Sequence, residues 1–269
     1  MLVLDSLRYD VWLDAATPNL DRLGEVERRW SYASWTSPSH FNLLTGLPPH
    51  TSPTRVHASL LYRDEYARYS ERLGVDGIDL TGLLPELWLP TFLRERLGYR
   101  TGALVSMPVL NAATGISRGF DVYELMPRHD DLGAMVDRIE FSDDRPWFWL
   151  LNAGETHYPY TVAGDAPSEL PVLHGVHGVV RDPNREEGDI TSFNAAELSV
   201  LRTRQVRALE HVDTVTSRLF DKVPLNTWLM VTSDHGELFG EEGYFGHGPI
   251  QHEKVFEVPF VEGLHPDHR

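Results

Sequence analysis

Trp228-Leu-Met-Val-Thr-Ser-Asp-His-Gly236 joins an apolar run to an acid and an imidazole that stand side by side. Residues 228–232 are typical of a buried strand, and Asp234 and His235 follow at its carboxyl end. An oxygen ligand beside a nitrogen ligand is a common arrangement for binding a metal ion. Asp234 in this position is equally well explained as a cap for the next segment, so the dipeptide alone leaves both interpretations open.

Two other apolar runs end in polar residues in the same way. Residues 1–4 precede Asp5, and residues 147–151 precede the polar region 152–157. Both runs are short and apolar throughout, as expected of strands that are covered on both faces of a parallel sheet. Asp5 in isolation is weaker as a ligand than Asp234, because Asp is frequent at strand ends as a cap.

Helical patterns alternate with these strands. The longest lies at residues 195–220, and shorter ones are predicted at 17–24, from Thr36 onward, at 89–97 and at 131–139. Further strands are predicted at 30–35, 99–106 and 258–261. This alternation predicts an α/β fold with a doubly wound, mostly parallel sheet and helices on both faces. Ligands bind beyond the carboxyl ends of the strands in such sheets, so the polar residues there are the candidates for function.

Composition excludes several classes of function. The net charge is −16, which disfavours nucleic acid and anionic membrane as binding surfaces. The chain has no cysteine, so disulfides, thiolate metal sites and a cysteine nucleophile are excluded. No apolar run is long enough for a membrane helix and no signal peptide is visible, so we expect a cytoplasmic location. An acidic protein that handles an anionic substrate needs a local cation, which favours a bound metal ion.

Thr36 opens a predicted helix, in Thr36-Ser-Pro-Ser39. The first backbone amides of a helix are an anion site, and a hydroxyl beside them commonly serves as the N-cap. Next to a metal ion the same hydroxyl becomes a nucleophile. Sequence position alone favours the cap.

Four motifs occur in a characteristic order: Asp5-Ser-Leu-Arg-Tyr-Asp10, Thr17-Pro-Asn-Leu-Asp-Arg-Leu23, Thr36-Ser-Pro-Ser-His-Phe-Asn-Leu-Leu-Thr-Gly46, and Ser233-Asp-His-Gly-Glu237 with Gly246-His-Gly248. Together they resemble the sulfatase branch of the alkaline phosphatase superfamily. The resemblance runs over nearly the full chain, as far as Glu257-Val-Pro-Phe260. No single motif is decisive, and the specificity of the match lies in their order.

The resemblance implies one alkaline-phosphatase-like domain over residues 1–269 and metal-assisted attack by a side-chain nucleophile, with a covalent intermediate. It implies that Asp5, Asp234 and His235 are metal ligands. Thr36 occupies the position of the nucleophile, which also contacts the metal. His157 and His247 match positions that touch the substrate group or protonate the leaving oxygen.

The chain departs from the sulfatase pattern at the nucleophile. Sulfatases convert a Cys or Ser at this position into formylglycine, whereas Thr36 stands here and His40 replaces an Arg. The resemblance to the superfamily members that use Thr implies chemistry on phosphate or phosphonate esters instead. Arg269 follows soon after the last predicted strand, so we expect the core without the C-terminal subdomain of sulfatases.

A second metal ion is uncertain. The two-zinc members place an Asp four residues before a His, and Ala153 stands four residues before His157. Glu155, His247 or His252 are the alternatives, but one firmly bound ion is the simpler expectation. Two carboxylates, a hydroxyl and one imidazole suit Zn or Mn, with Ca or Mg less favoured.

We therefore expect a metal-dependent hydrolase of small anionic substrates, either phosphate mono- or diesters or phosphonate esters, that forms a covalent intermediate on Thr36. A transferase that passes the group from Thr36 to an alcohol is one alternative. A catalytically weak or inactive relative that acts as a binding protein is another. Specificity is expected in the long loops 47–88 and 161–190.

Overall fold

The computed structural model describes residues 1–51, 71, 87–141, 144–165, 178–180, 193 and 195–267. The two long loops predicted at 47–88 and 161–190 lie mostly outside these residues. The structural statements below refer to the described residues.

The strands form a mixed, mostly parallel sheet that is seven-stranded within the described ranges. Its order from edge to edge is β2 (Glu27–Trp30), β10 (Glu257–Leu264), β7 (Trp228–Ser233), β1 (Leu2–Leu4), β5 (Trp147–Ala153), β3 (Arg100–Val105) and β4 (Val122–Leu125). β1 is parallel to both of its neighbours, and β10 runs antiparallel to β7 and β2. The predicted α/β fold with a mostly parallel sheet is confirmed.

Helices cover both faces of the sheet because side chains alternate along each strand. On one face, Leu2 and Leu4 of β1 pack in a core with α1 (Tyr9–Asp14), α4 (Leu132–Arg138) and α5 (Ala195–Lys222). On the other face, Val3 packs in a second core with α2 (Thr36–Leu44). The remaining helices are α3 (Leu89–Leu97), which ends at the left-handed Gly98, and the short α6 (Glu253–Phe256).

The strand predicted at residues 30–35 is wrong, because the strand in this region is Glu27–Trp30. Residues 30–35 were expected to be extended, but β2 ends at Trp30 and pairs with β10, with Trp30 opposite Glu257. The chain then turns toward α2. An edge strand with one open side tolerates charged residues, here Glu27, Arg28 and Arg29, so the apolar pattern pointed to the wrong segment.

Two smaller predictions also need correction. The segment predicted as a short helix at 17–24 is a 3-10 helix, Leu20–Leu23. Residues 236–249, for which no helix or strand is predicted, contain β8 (Leu238–Phe239) and β9 (Tyr244–Gly246), which pair with each other, and β9 also pairs with β6 (Gly178–Val180). Strands of two or three residues are too short for a period-two pattern to reveal.

No helix in the described part of the chain is both long and apolar enough to cross a bilayer. The longest, α5, buries one stripe, which includes Leu209, Val212 and Leu219, against the sheet. This amphipathic pattern is that of a helix on the surface of a globular core.

The register of the central strands determines what lies at the carboxyl edge of the sheet. Leu4 is paired with Ser233 on one side and with Ala153 on the other. Because the three strands are parallel, the residues that follow them emerge at the same level. Asp5 and Asp234 are therefore neighbours as a direct result of strand register.

Asp213 is a buried carboxylate that ties α5 to the first 3-10 turn. It is 2% exposed and accepts hydrogen bonds from the backbone amides of Asn19 and Leu20 and from Asn19 Nδ2. We predict that Asp213→Ala lowers the free energy of unfolding by about 3 kcal/mol, because buried amide donors lose a charged acceptor. Urea denaturation measures this change. Asp221→Ala, at an exposed position on the same helix, is the matched control, and an equal loss in both variants would contradict the assignment.

Candidate functional site

Two buried carboxylates meet at the carboxyl edge of the sheet. Asp5 is 0% exposed and Asp234 is 1% exposed. Asp234 Oδ1 accepts hydrogen bonds from the amides of Ser6, at 3.1 Å, and His235, at 2.9 Å. Asp234 Oδ2 is buried and has no hydrogen-bond partner. A carboxylate oxygen in this state is costly to bury, and the structure leaves it available for a ligand.

His235 turns one ring nitrogen toward the same point. Its Nδ1 lies 2.9 Å from Gly236 O, a geometry in which Nδ1 donates its hydrogen and Nε2 carries the lone pair. Nε2 is 3.4 Å from Asp234 Oδ2 and 4.0 Å from Asp5 Oδ1. Burial, reinforced by the neighbouring His247, lowers the pKa of His235 well below its ordinary value, so the ring is neutral and able to act as a ligand.

The two carboxylates affect each other's protonation. Burial and the charge of Asp5 raise the pKa of Asp234 well above its ordinary value. Burial also acts to raise the pKa of Asp5, but nearby histidines, His157 first among them, outweigh it and lower that pKa. Two carboxylates this close do not both ionise without a compensating positive charge.

A divalent cation fits these residues. Within the described residues, Asp5, Asp234 and His235 each offer one ligand atom, and these three atoms lie within 4.8 Å of one another. An ion at this point would be coordinated by the unpartnered Oδ2 of Asp234 and by Nε2 of His235. A cation would also remove the repulsion between the carboxylates.

Thr36 faces this cluster. It is the first residue of α2, is 3% exposed, and places its Oγ1 3.4 Å from His235 Nε2. The N-cap position belongs to Trp35, and no side chain caps the helix. The capping interpretation of Thr36 is therefore wrong, and its hydroxyl instead lies beside the candidate ligands.

His247 and His157 lie on the other side of His235. The ring of His247 is 4.3 Å from that of His235 and 5.4 Å from that of His157, between centroids. His157 Nδ1 lies 2.8 Å from Tyr158 O, which fixes the orientation of its ring. Both histidines named from the sequence are thus at the site.

Two alternatives for a second metal lie elsewhere. Glu155 is fully buried, and its Oε1 accepts a hydrogen bond from the amide of Leu132 at 2.6 Å, at the start of α4. His252 Nδ1 accepts from the amide of Lys254 and caps α6. Neither belongs to the group of ligand atoms around Asp5 and Asp234.

His40 is closer to the site than its sequence position alone indicated. It is 1% exposed, and its Nδ1 donates to Thr36 O at 2.9 Å and lies 3.6 Å from Asp234 Oδ2. Burial lowers its pKa, which favours the neutral ring. The spacing of one helical turn from Thr36 was the available signal, and it left a surface position equally open.

Several residues that hold Asp5 in place were not singled out from the sequence. Asn152 Nδ2 contacts Asp5 Oδ2 at 3.2 Å, and Thr156 Oγ1 donates to Asp5 O at 2.8 Å. Ser6 adopts a left-handed backbone (φ 62°) and places its Oγ 3.1 Å from Asp5 Oδ1. Such a conformation in a non-glycine residue costs about 1 kcal/mol or more, and these contacts maintain it. The only signal for Asn152 and Thr156 was their place after a predicted strand.

Gly236 is required by close packing. A Cβ atom there would lie 2.2 Å from Lys254 O, a distance that no side chain tolerates. The Gly236 amide donates to Val255 O at 2.7 Å, so the turn after His235 is clamped against the segment leading into β10.

Comparison with known proteins gives one family match. The chain matches the model of the Sulfatase family over residues 12–262. Among curated protein sequences, none matches this chain.

Solved structures share the fold at low sequence identity. The phosphonate monoester hydrolase of Agrobacterium radiobacter has a TM-score of 0.59 and 18% identity, over 99% of this chain and 68% of that one. The C-terminal periplasmic domain of EcEptC from Escherichia coli has a TM-score of 0.57 and 13% identity, over 99% and 72%. A second structure of that domain is a complex with Zn. The integral membrane lipooligosaccharide phosphoethanolamine transferase A from Neisseria meningitidis has a TM-score of 0.59 and 17% identity, over 98% and 46%.

Glu155 makes the stability of the protein depend on pH. Burial raises its pKa from 4.5 to about 7. The folded state therefore binds this proton more tightly than the unfolded chain, so the stabilising contribution is complete below pH 4.5 and is lost as the pH rises through 7.

We predict that wild-type stability, relative to Glu155→Gln, falls by about 3 kcal/mol between pH 4.5 and a pH well above 7, since each pKa unit corresponds to about 1.4 kcal/mol. Denaturant titrations of both proteins across this pH range test it. A stability difference that stays constant with pH would contradict the prediction.

We predict that the purified protein binds one equivalent of divalent metal and that Asp234→Asn weakens this binding by at least about 100-fold, more than the loss of an outer contact usually costs. Elemental analysis and calorimetric titration with Zn²⁺ or Mn²⁺ measure it. The matched control is Asp130→Asn, which changes another buried carboxylate, 5% exposed, outside the cluster. Equal metal binding by wild type and Asp234→Asn would disprove the site.

Proposed function

The chain belongs to the sulfatase family, and from this membership and the geometry of its site we propose that it is a metal-dependent hydrolase of phosphate or phosphonate esters that reacts through Thr36. Asp5, Asp234 and His235 hold the ion in this proposal, with Thr36 Oγ1 as a further ligand. Family members are enzymes, and the superfamily depends on divalent metals, which supports an enzymatic function for this chain.

The observation that carries the proposal is the position of the Thr36 hydroxyl. Its oxygen lies 3.4 Å from His235 Nε2, and that nitrogen is itself 3.4 Å from the unpartnered Asp234 Oδ2. A hydroxyl placed among metal ligands is in the position of an activated nucleophile.

The identity of this residue supports phosphorus rather than sulfur chemistry. The formylglycine of sulfatases forms from Cys or Ser, and Thr36 offers neither starting side chain. A threonine hydroxyl attacks phosphorus directly and forms a phosphate or phosphonate ester that water then cleaves. The net charge of −16 adds a reason for a local cation at a site that takes an anionic ester.

A divalent ion held by Asp5, Asp234 and His235 would lower the pKa of the Thr36 hydroxyl and offset negative charge on the phosphoryl oxygens. Thr36 Oγ1 gives up its proton to solvent and attacks phosphorus in line with the leaving oxygen, and the bond from phosphorus to that oxygen breaks. The backbone amides of Thr36 and Ser37, at the start of α2, have no acceptor inside the helix and stabilise a non-bridging oxygen.

His247 completes the first step. It gives a proton to the leaving oxygen, so the alcohol departs neutral. A water molecule then attacks phosphorus and passes one proton to His247. The bond to Thr36 Oγ1 breaks, this oxygen takes up a proton from solvent, and the phosphate or phosphonate leaves. His157, whose ring packs edge-on against that of His247, is placed to contact the substrate group.

Zn or Mn is the proposed ion. The donor set of two carboxylate oxygens, one hydroxyl oxygen and one imidazole nitrogen combines ligands that these metals accept. Calcium prefers six to eight oxygen ligands, and this group of residues offers fewer.

Transfer to an alcohol in place of water is the second candidate. One of the structures similar to this chain is a lipooligosaccharide phosphoethanolamine transferase. The same ester on Thr36 serves either reaction, because only the group that attacks in the second step differs.

We predict that Thr36→Ala lowers turnover of phosphate or phosphonate esters by at least about 10⁴-fold, because removing a nucleophile abolishes the covalent route and leaves only residual catalysis. Thr36→Ser should retain measurable activity. Thr216→Ala removes another fully buried threonine hydroxyl, on α5, and is the matched control.

The assay uses nitrophenyl phosphate, a phosphodiester, a phosphonate monoester and a sulfate ester, each with and without added alcohol. Hydrolysis of the sulfate ester alone would overturn the substrate class, and full activity in Thr36→Ala would overturn the nucleophile. Formation of an alcohol phosphate in preference to free phosphate would select the transferase.

A further inference from the structure

Glu237 is a buried carboxylate that the reaction scheme above does not use. It is 1% exposed and follows His235 by two residues. Its Oε1 accepts hydrogen bonds from the Tyr160 hydroxyl at 2.6 Å and from Gln205 Nε2 at 2.9 Å. Tyr160 and Gln205 are themselves buried, so one oxygen of Glu237 is held firmly from two sides.

The other oxygen of Glu237 faces His247. The distance from Oε2 to His247 Nδ1 is 3.7 Å, and the Ser6 hydroxyl lies 3.4 Å from the same nitrogen. A distance of 3.7 Å is slightly longer than a hydrogen bond. Hydrogen bonds of catalytic groups are commonly long before the substrate binds and shorten in the complex.

The Arg8 guanidinium does not bind this carboxylate. Arg8 Nη1 contacts Glu237 through the backbone oxygen, at 3.3 Å, while the Arg8 head group forms ion pairs with Asp10 and Glu241. The carboxylate of Glu237 is left with two neutral donors on one oxygen. An N–H of His247 on the other oxygen would complete its hydrogen bonding, as a buried charge requires.

We propose that Glu237 is a positioning residue for His247. Glu237 Oε2 accepts the Nδ1 hydrogen of His247, which fixes the ring and makes Nε2 the nitrogen that delivers the proton to the leaving oxygen. After that transfer the ring is neutral and keeps its hydrogen on Nδ1. The inference rests on the proposed function, since it assigns His247 the role of acid in that reaction.

A merely structural role for Glu237 predicts something different. Through Gln205, which also contacts Ser6 O and Thr156 O, Glu237 helps to join the site loops to α5. If Glu237 only joined the site loops to α5, its loss would lower the stability of the protein or reduce activity on all substrates equally. A positioning role predicts a loss that depends on how much the leaving oxygen needs a proton.

Glu237→Gln separates these roles. Gln205 Nε2 only donates, so the new amide oxygen takes the place of Oε1 and the amide nitrogen turns toward His247. His247 Nδ1 must then accept a hydrogen bond, and its neutral ring carries the hydrogen on Nε2. A neutral ring in that form cannot donate its Nε2 hydrogen without becoming an anion.

The activity test compares an alkyl ester with a nitrophenyl ester of the same phosphate or phosphonate, using the metal-loaded enzyme. The alkoxide is strongly basic and needs a proton, whereas nitrophenolate leaves without one. We expect kcat for the alkyl ester to fall about 100-fold in Glu237→Gln, which is within the usual range for loss of acid catalysis. We expect kcat for the nitrophenyl ester to fall only a few-fold. Glu257→Gln, another buried glutamate, which pairs with Lys254 and Arg28, is the matched control.

A nitrogen-15 NMR spectrum gives a readout that does not depend on turnover. The His247 signals are identified by their loss in His247→Gln. With the ring neutral, wild-type His247 should carry its hydrogen on Nδ1, and Glu237→Gln should move it to Nε2. A wild-type ring with the hydrogen on Nε2 would overturn the proposal even if the variant failed to fold.

The outcomes for the two hypotheses differ. Equal losses on both esters, with an active wild type, would overturn the positioning role and leave the proposed function standing. A wild type inactive on both esters would overturn the proposed function, and the positioning role with it.

Discussion

The repulsion between Asp5 and Asp234 is the constraint on which the site depends. Two carboxylates that are almost completely buried and face a common point are unfavourable unless a positive charge lies between them. The neutral His235 does not supply that charge, but its free nitrogen adds a third ligand. A divalent ion satisfies all three residues at once, and it also explains why a hydroxyl, Thr36, lies against them.

The fold brings these groups together by simple means. The parallel register of β1 between β7 and β5 places Asp5 beside Asp234. Thr36, the first residue of α2, lies against them. Contacts from Asn152 and Ser6 then hold Asp5 in position. Catalysis by charge stabilisation depends on such fixed geometry, because ligands that must reorganise lose much of their effect.

The alternation of apolar runs with helical patterns predicted the sheet, and apolar runs ending in Asp are local signals for Asp5 and Asp234. Asp5 and Thr36 were placed at the site mainly by the resemblance of the motifs. The sequence did not predict β8 and β9, which are too short for a periodic pattern, and it misplaced the edge strand at Trp30. The contacts of His40 and Glu237 could not be predicted from the sequence, for a different reason. Both depend on which way a side chain turns within a tertiary arrangement, and spacing along one helix or loop leaves that direction open. The roles proposed for the site residues rest on this geometry; these residues are Asp5, Thr36, His157, Asp234, His235 and His247.

Anomalous X-ray diffraction from crystals grown with Zn²⁺ or Mn²⁺ tests the central claim most directly, since it locates the ion without reference to activity. The account predicts one strong peak about 2.0–2.3 Å from oxygen or nitrogen atoms of Asp5, Asp234 and His235, and from Thr36 Oγ1. A peak bound only at surface residues, or no peak between the two carboxylates, would contradict it.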